Sequence, residues 1–198
     1  PDKFGHAQRQ DFLLRDRYTT AYHVPNEHTA RAVRELTDRP VHVIPYWANQ
    51  HIWRPTGTSA ALRKKHGLPE GGFLVGSFQR DTEGHDHSKP KLEKGPDLLV
   101  DNLQRLAEVE PRLCVVLAGW RRQYVIARLQ AAGIPYAYLE LPSQPVVNEL
   151  YQSLDVYMVS SRQEGGPQAL LECGLLGVPC ISRDVGMANR VLPPSAVN

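Results

Sequence analysis

The chain has 198 residues, which allows one large or two small domains. With 41% hydrophobic and 22% charged residues it can bury a real core and has the balance of an ordinary globular protein. A net charge of +2 argues against a dedicated nucleic-acid or membrane surface, and no apolar run approaches the roughly 20 residues of a membrane span. Cys114, Cys173 and Cys180 lie in apolar runs without metal-type spacing, the pattern of buried, reduced thiols in a cytosolic protein. The chain opens on Pro1 without a signal-peptide pattern and stops after the loop-like LPPSAVN, so it reads as a piece of a longer protein.

The first elements carry weak signals. YTTAYHV (18–24) reads as a strand, PNEHTARAVREL (25–36) as a helix with Pro and Asn near its start, and PVHVIPYW (40–47) as a second strand. Residues 49–59 have no clean period and read as a linker, and 60–69 as a short helix stopped by Gly67 and Pro69. From residue 73 a rhythm begins. FLVGSF (73–78) is a strand, and 95–109 a helix with Leu98, Leu99, Leu103 and Leu106 at helical spacing. LCVVLAG (113–119) is a strand apolar enough to be buried on both faces. Helix 122–133, strand 136–141, helix 145–154, strand 155–161, helix 167–177 and strand 179–182 follow. The alternation predicts parallel βαβ units in an α/β protein, a Rossmann-like doubly wound sheet with helices on both faces. Such sheets bind ligands at the carboxyl ends of their strands, so the loops at 79–94, 119–121, 141–145 and 160–167 are expected to share one rim. Neither GxGxxG nor GxxxxGK[ST] occurs, so a nicotinamide-type site or a P-loop is not supported.

The stretch EGGPQALLE (164–172) concentrates the chemistry. Gly165 and Gly166 let the backbone approach a ligand, and Pro167 suits the first helical position. The free N–H groups of the first turn, with the helix dipole, suit a phosphate. Glu172 falls among leucines on a helix that is apolar nearly all round and expected to be buried, so its carboxylate needs donors. A ribose diol supplies two; a neighbouring backbone group, Lys or Arg is the structural alternative. Glu164, in the loop at a strand end, is placed to accept from a sugar hydroxyl or simply to be solvated. Arg80 and Lys94 are candidate phosphate cations at the same rim, or surface cations. The polar stretch 81–93 between them is expected to be mobile, and its adjacent His85, Asp86 and His87 are not expected to converge on a metal.

These motifs together resemble the retaining GT-B glycosyltransferases of the group 1 (GT4-type) family. Glu164 and Glu172, with seven residues between, followed by LLGVPCISRDVGM, are similar to its E-x7-E segment. KGPDLLVDNLQRL (94–106) looks like its KG-x-D-L-L helix, LAGW (117–120) and LDVYMVSSRQEGGP (154–167) fall in the expected order, and VHVIPYWANQHIWRP (41–55) is similar to its crossover between domains. The sequence departs from the family where GSFQR replaces G-R-L, where PYW replaces PNG, and where a longer 81–93 loop leaves Lys91 as a rival to Lys94 for the phosphates.

The resemblance implies the C-terminal half of a GT-B fold, with residues 1–55 as the end of the N-terminal domain and crossover and 56–198 as a nucleotide-sugar-binding domain. It implies sugar transfer from a nucleotide-diphosphate sugar to a sugar or lipid-linked acceptor, with retention and without a metal or other cofactor. Arg80 and Lys94 would hold the diphosphate and Glu172 the ribose. Glu164 would contact the donor sugar, with the backbone of Gly165, Gly166, Gln168 and Ala169 facing sugar and phosphate. Pro167 belongs to the same turn, while Ser161 and residues 139–142, Leu141 among them, would lie near the base. Lacking most of its N-terminal domain, the chain alone is expected to be inactive or nearly so. A cytoplasmic location, with peripheral association of the full-length protein at the inner membrane face, goes with the resemblance. The rival readings are a non-catalytic nucleotide-sugar-binding module, a nucleotide-sugar 2-epimerase, whose elimination carboxylates this pattern does not suggest, and a response-regulator-like domain, whose acidic cluster is missing.

Overall fold

A computed structural model describes residues 6–198, so residues 1–5 of the first predicted segment lie outside the described residues. The chain divides into two compact units, one ending at Tyr46 and the other Trp47–Asn198. In the first, α1 (His6–Asp16) and α2 (Glu27–Arg34) accompany a parallel pair, β1 (Tyr22–Val24) and β2 (Val41–Val43). Asn26 sets the start of α2: its side chain accepts the Thr29 N–H at 2.8 Å, which satisfies one of the four donors a helix start leaves over. Val24, Ala30 and Val33 form the small core, joined by the stacked rings of Phe12 and Tyr22. The expected strand at 18–24 shortens to its last three residues, because the Tyr18 and Thr19 N–H groups turn back to the Arg15 and Asp16 carbonyls. Helix α1 was not expected: its apolar residues Phe12, Leu13 and Leu14 are consecutive rather than spaced by turns, and Leu14 stays 56% exposed.

The second unit contains α3 (Ser59–Lys65), β3 (Phe73–Ser77), α4 (Pro96–Ala107), β4 (Leu113–Ala118), α5 (Gln123–Ala131), β5 (Tyr136–Leu139), α6 (Gln144–Gln152), β6 (Val156–Val159), α7 (Gln168–Leu176), β7 (Cys180–Ser182) and α8 (Ala188–Val191). Its five strands are all parallel, in the order β5-β4-β3-β6-β7. Alternation along each strand feeds two cores. Leu74, Cys114, Val116 and Ala118 meet Leu150, Tyr151 and Cys173 on one face; Val75, Val115 and Leu117 meet Leu99, Val100, Leu103 and Leu129 on the other. All six residues of β4 are buried, as a strand covered on both sides must be, and each large apolar side chain contributes about 1.5–3 kcal/mol relative to exposure. The three cysteines are free and buried, and burial pushes the Cys114 thiol up.

One expectation is corrected. Helix α7 is not buried all round: Leu175 is 36% exposed, and Gly174 and Gln168 face solvent. The 81–93 loop folds as a hairpin, closed by an antiparallel bridge between Thr82 and Pro90 and by the Lys91 N–H donating to the Asp81 carbonyl at 2.8 Å. His85, Asp86 and His87 stand at its exposed tip, where Asp86 accepts from the Ser88 hydroxyl; no group of three metal-ligating side chains forms among the described residues. Among those residues no helix is long and apolar enough to cross a membrane.

Candidate functional site

The strand order places the site. The chain runs β3, β4, β5 toward one edge, then returns to lay β6 against the other side of β3. The order therefore reverses between β3 and β6, the point at which sheets of this kind form their ligand crevice outside the carboxyl ends of the strands. Three segments line it: residues after β3, the short 3₁₀ turn Leu92–Lys94 before α4, and the 160–167 loop before α7.

Gly95 holds the first contact. It joins the 3₁₀ turn to α4 with φ +60, a left-handed conformation, and a Cβ there would collide with the Ser160 carbonyl oxygen. Only glycine lets the start of α4 press against the end of β6. Arg162 ties the same segments from outside. Its guanidinium donates to both oxygens of Asp97, at 2.7 and 2.6 Å, and to the Leu92 carbonyl at 2.9 Å, while its own N–H donates to the Glu93 carbonyl. The Arg162 hydrogen bonds hold the Asp97 carboxyl below the usual range.

Inside this clamp Lys94 and Glu164 meet. The Lys94 ammonium donates to Glu164 Oε1 at 2.6 Å, and the Ser161 hydroxyl reaches the same oxygen at 2.7 Å. The lysine side chain is 29% exposed and the glutamate 14%, so the pair is sheltered yet open to the crevice. Lys91 sits instead 3.7 Å from Glu93. Arg80 is exposed and makes no hydrogen bond or ion pair among the described residues, so the structure does not gather it into this network.

Helix α7 begins at Gln168, and Pro167 is its N-cap rather than its first helical residue (φ −62, ψ 111). Its missing N–H still costs nothing, and the first-turn N–H groups of Gln168 and Ala169 have no carbonyl within the helix to bond. Gly166 and Pro167 are buried, and a Cβ on Gly186 would come within 3.0 Å of both, so the Gly-Gly-Pro turn closes partly on the protein itself.

Glu172 lies four residues into α7, about 6 Å along its axis. The structural alternative for this residue took a partner no one motif suggested: the Tyr151 hydroxyl donates to Glu172 Oε2 at 2.7 Å. Burial pushes the Glu172 carboxyl up, against the opposing effect of that hydrogen bond. The Tyr151 ring is fixed by Trp53, Phe78 and Tyr157, with centroids 5.7, 4.8 and 5.0 Å away. Leu141 stands beyond the end of edge strand β5, 68% exposed, at φ +45. Arg121, beyond β4, has φ +61; both are sparsely populated conformations for residues other than glycine, and such strain gathers at functional rims.

Five partners were missed from sequence. Gln79 and Tyr151 carry no motif. The Asp97–Arg162 pair spans 65 residues. Arg122 was hidden in the expected helix 122–133, although an arginine four residues past the end of a fully apolar strand is a signal. It is 0% exposed, donates to the Ser77 and Ala118 carbonyls, and lies 3.4 Å from the buried Asp81, whose Oδ2 also accepts the Val125 N–H. Burial pushes both groups toward neutrality and their mutual attraction opposes it.

An open parallel sheet of this order, with Lys94, Ser161 and Glu164 gathered at its reversal, has a Rossmann-like architecture. The chain belongs to the group 1 glycosyl transferases, whose family model matches residues 88–195. It is 26% identical over 162 residues to the lipopolysaccharide core biosynthesis mannosyltransferase LpsB of Rhizobium meliloti (strain 1021), covering 78% of this chain and 44% of that protein. Its fold is similar to that of HepE from Anabaena, solved in complex with UDP-glucose, with a TM-score of 0.80 at 18% identity over 100% of this chain and 55% of that one. It is also similar to sucrose-phosphate synthase from Thermosynechococcus elongatus, with a TM-score of 0.76 at 16% identity over 97% and 47% of the two chains. The chain thus spans about half the length of these relatives, and its second unit has the architecture of a GT-B C-terminal domain.

Proposed function

We propose that this chain is the donor-binding half of a retaining glycosyltransferase that takes its sugar from a nucleoside-diphosphate sugar. The observation that carries the reading is the Lys94–Glu164 pair at 2.6 Å, set where the strand order reverses and beside the start of α7. A cation, an acceptor for sugar hydroxyls and a helix start are the three groups a nucleotide sugar needs around its diphosphate and hexose. Lys94 would exchange Glu164 for the diphosphate, joined by Arg80, whose exposed guanidinium has no competing partner among the described residues. The first-turn N–H groups of α7 would face the same charge, stabilising the leaving nucleoside diphosphate electrostatically. Glu164 would accept from the donor sugar, and the free oxygen of Glu172 from the ribose. Ser161 would act through Glu164, and Leu141 would border the base.

No step in this scheme calls for a metal. The transition state would be oxocarbenium-like, with retention at the anomeric carbon, and the acceptor would be a sugar or a lipid-linked sugar. The similarity to LpsB, named for lipopolysaccharide core biosynthesis, supports polysaccharide assembly as the setting. The test is calorimetric titration of the chain with UDP, GDP and ADP and with their hexose conjugates, with and without EDTA. One nucleotide is expected to bind in the micromolar to millimolar range, unaffected by EDTA and abolished by Glu172→Ala; binding of none would overturn the reading.

A further inference from the structure

Resting on that donor-site reading, we propose that Gln79 is a positioning residue that lets Glu164 release its protein partners to a donor sugar. Gln79 follows β3, and its amide touches three residues on the two other segments. Nε2 donates to the Lys94 carbonyl at 2.7 Å and to the Ser160 hydroxyl oxygen at 3.2 Å, while Oε1 lies 3.0 Å from the Ser161 hydroxyl. The Lys94 carbonyl fixes the amide orientation, since the flipped amide would set two acceptors against each other.

The hydroxyl of Ser161 is then contested. It lies 3.0 Å from Gln79 Oε1 and 2.7 Å from Glu164 Oε1, and both are acceptors. A serine hydroxyl has one proton, so it can serve one of them fully at a time. Ser161 is 0% exposed, so a hydroxyl left without an acceptor would carry the full cost of a buried orphan donor. Gln79 removes that cost. When a sugar hydroxyl donates to Glu164 Oε1, Ser161 turns its proton to Gln79 Oε1 and no buried donor is orphaned. The amide is a second seat for the serine proton, and its presence lowers the cost of handing Glu164 to the ligand. Gln79 acts through Ser161 and Glu164 and does not touch the reacting atoms itself.

The experiment measures the ratio of two dissociation constants, for a nucleoside diphosphate and for its hexose conjugate, by titrating the 198-residue chain with UDP and UDP-glucose, GDP and GDP-mannose, and ADP and ADP-glucose. Gln79→Leu keeps the size and removes both polar ends. It is expected to bind the diphosphate within about twofold of wild type and the conjugate about tenfold more weakly, the cost of one buried hydroxyl left unpaired. Ser161→Ala added to Gln79→Leu should bring the conjugate back toward wild-type affinity, because the hydroxyl that would be orphaned is then gone. Gln79→Met, which also lacks the Ser161 amide acceptor, should weaken the conjugate selectively in the same way, and it decides the matter if the leucine variant does not fold. Equal weakening of both ligands, or none, in a folded Gln79 variant overturns the proposal while leaving the donor site intact. Failure of wild type to bind any of the six ligands overturns the donor-site reading and this inference with it.

Discussion

Two cation–carboxylate pairs stand at the same end of the sheet and do opposite work. Arg122–Asp81, beside β3 and β4, is sealed: side-chain exposure is 0% and 1%, the Ser77 and Ala118 carbonyls and the Ser77 hydroxyl accept from the guanidinium, the Val125 N–H donates to Asp81 Oδ2, and Asp81 Oδ1 has no partner among the described residues. Lys94–Glu164, beside β3 and β6, is 29% and 14% exposed, and its hydrogen-bonding partner is the Ser161 side chain. A pair locked to the backbone cannot exchange partners without unfolding the rim. A pair held by an ammonium and a hydroxyl can trade both for a ligand. Burial and the type of partner, rather than charge, separate a structural pair from one suited to binding.

The comparison can be broken by removing one member of each pair. Arg122→Leu should destabilise the chain by about 3–5 kcal/mol, since it leaves Asp81 buried and uncompensated. Lys94→Ala should cost about 1 kcal/mol or less, as expected of a pair open to solvent, yet weaken diphosphate binding at least about tenfold. Urea denaturation and titration of the two variants side by side check this; comparable destabilisation would erase the distinction.

Glu172 sharpens the contrast through pH. Burial raises its folded value above the usual carboxylate range. The stability this group contributes is therefore present below its unfolded value and lost as pH rises through the raised folded one. Glu172→Gln should flatten that slope and leave the chain more stable than wild type near neutral pH, while abolishing nucleotide binding; thermal unfolding across the acid-to-neutral range reads the first effect. Tyr151→Phe removes the donor to the ionised form, so it should push the carboxyl higher still and weaken nucleotide binding about tenfold. The smallest effect belongs to the outer clamp. Asp97 is depressed by Arg162, so its contribution is present above its unfolded value and lost as pH falls through the folded one. Asp97→Asn should remove that acid-side slope and cost about 1 kcal/mol or less, the pair being partly exposed.

The fold was legible where apolar residues were dense. β4 announced itself by six consecutive buried residues, and the α4 leucines by their spacing. Helix α1 was not legible, because a run of three apolar residues has no helical face. The hairpin at 81–93 was hidden because its closure depends on main-chain bonds between Asp81, Thr82, Pro90 and Lys91 rather than on composition. At the site, Glu164, Glu172 and Lys94 were singled out by motif. Gln79 and Tyr151 were not, because an amide after a strand and a tyrosine in an amphipathic helix are unremarkable until their neighbours are known.

The sequence by itself determined the alternation of strand and helix, the parallel sheet that alternation requires, and the kinds of group at the strand ends. Those are consequences of local spacing and apolar density. Only the tertiary structure decided which of those groups meet. Lys94 and Glu164 are 70 residues apart, Gln79 and Ser161 82. They touch because β6 returns to lie against β3, and because Gly95, lacking a Cβ, lets the start of α4 close on the end of β6.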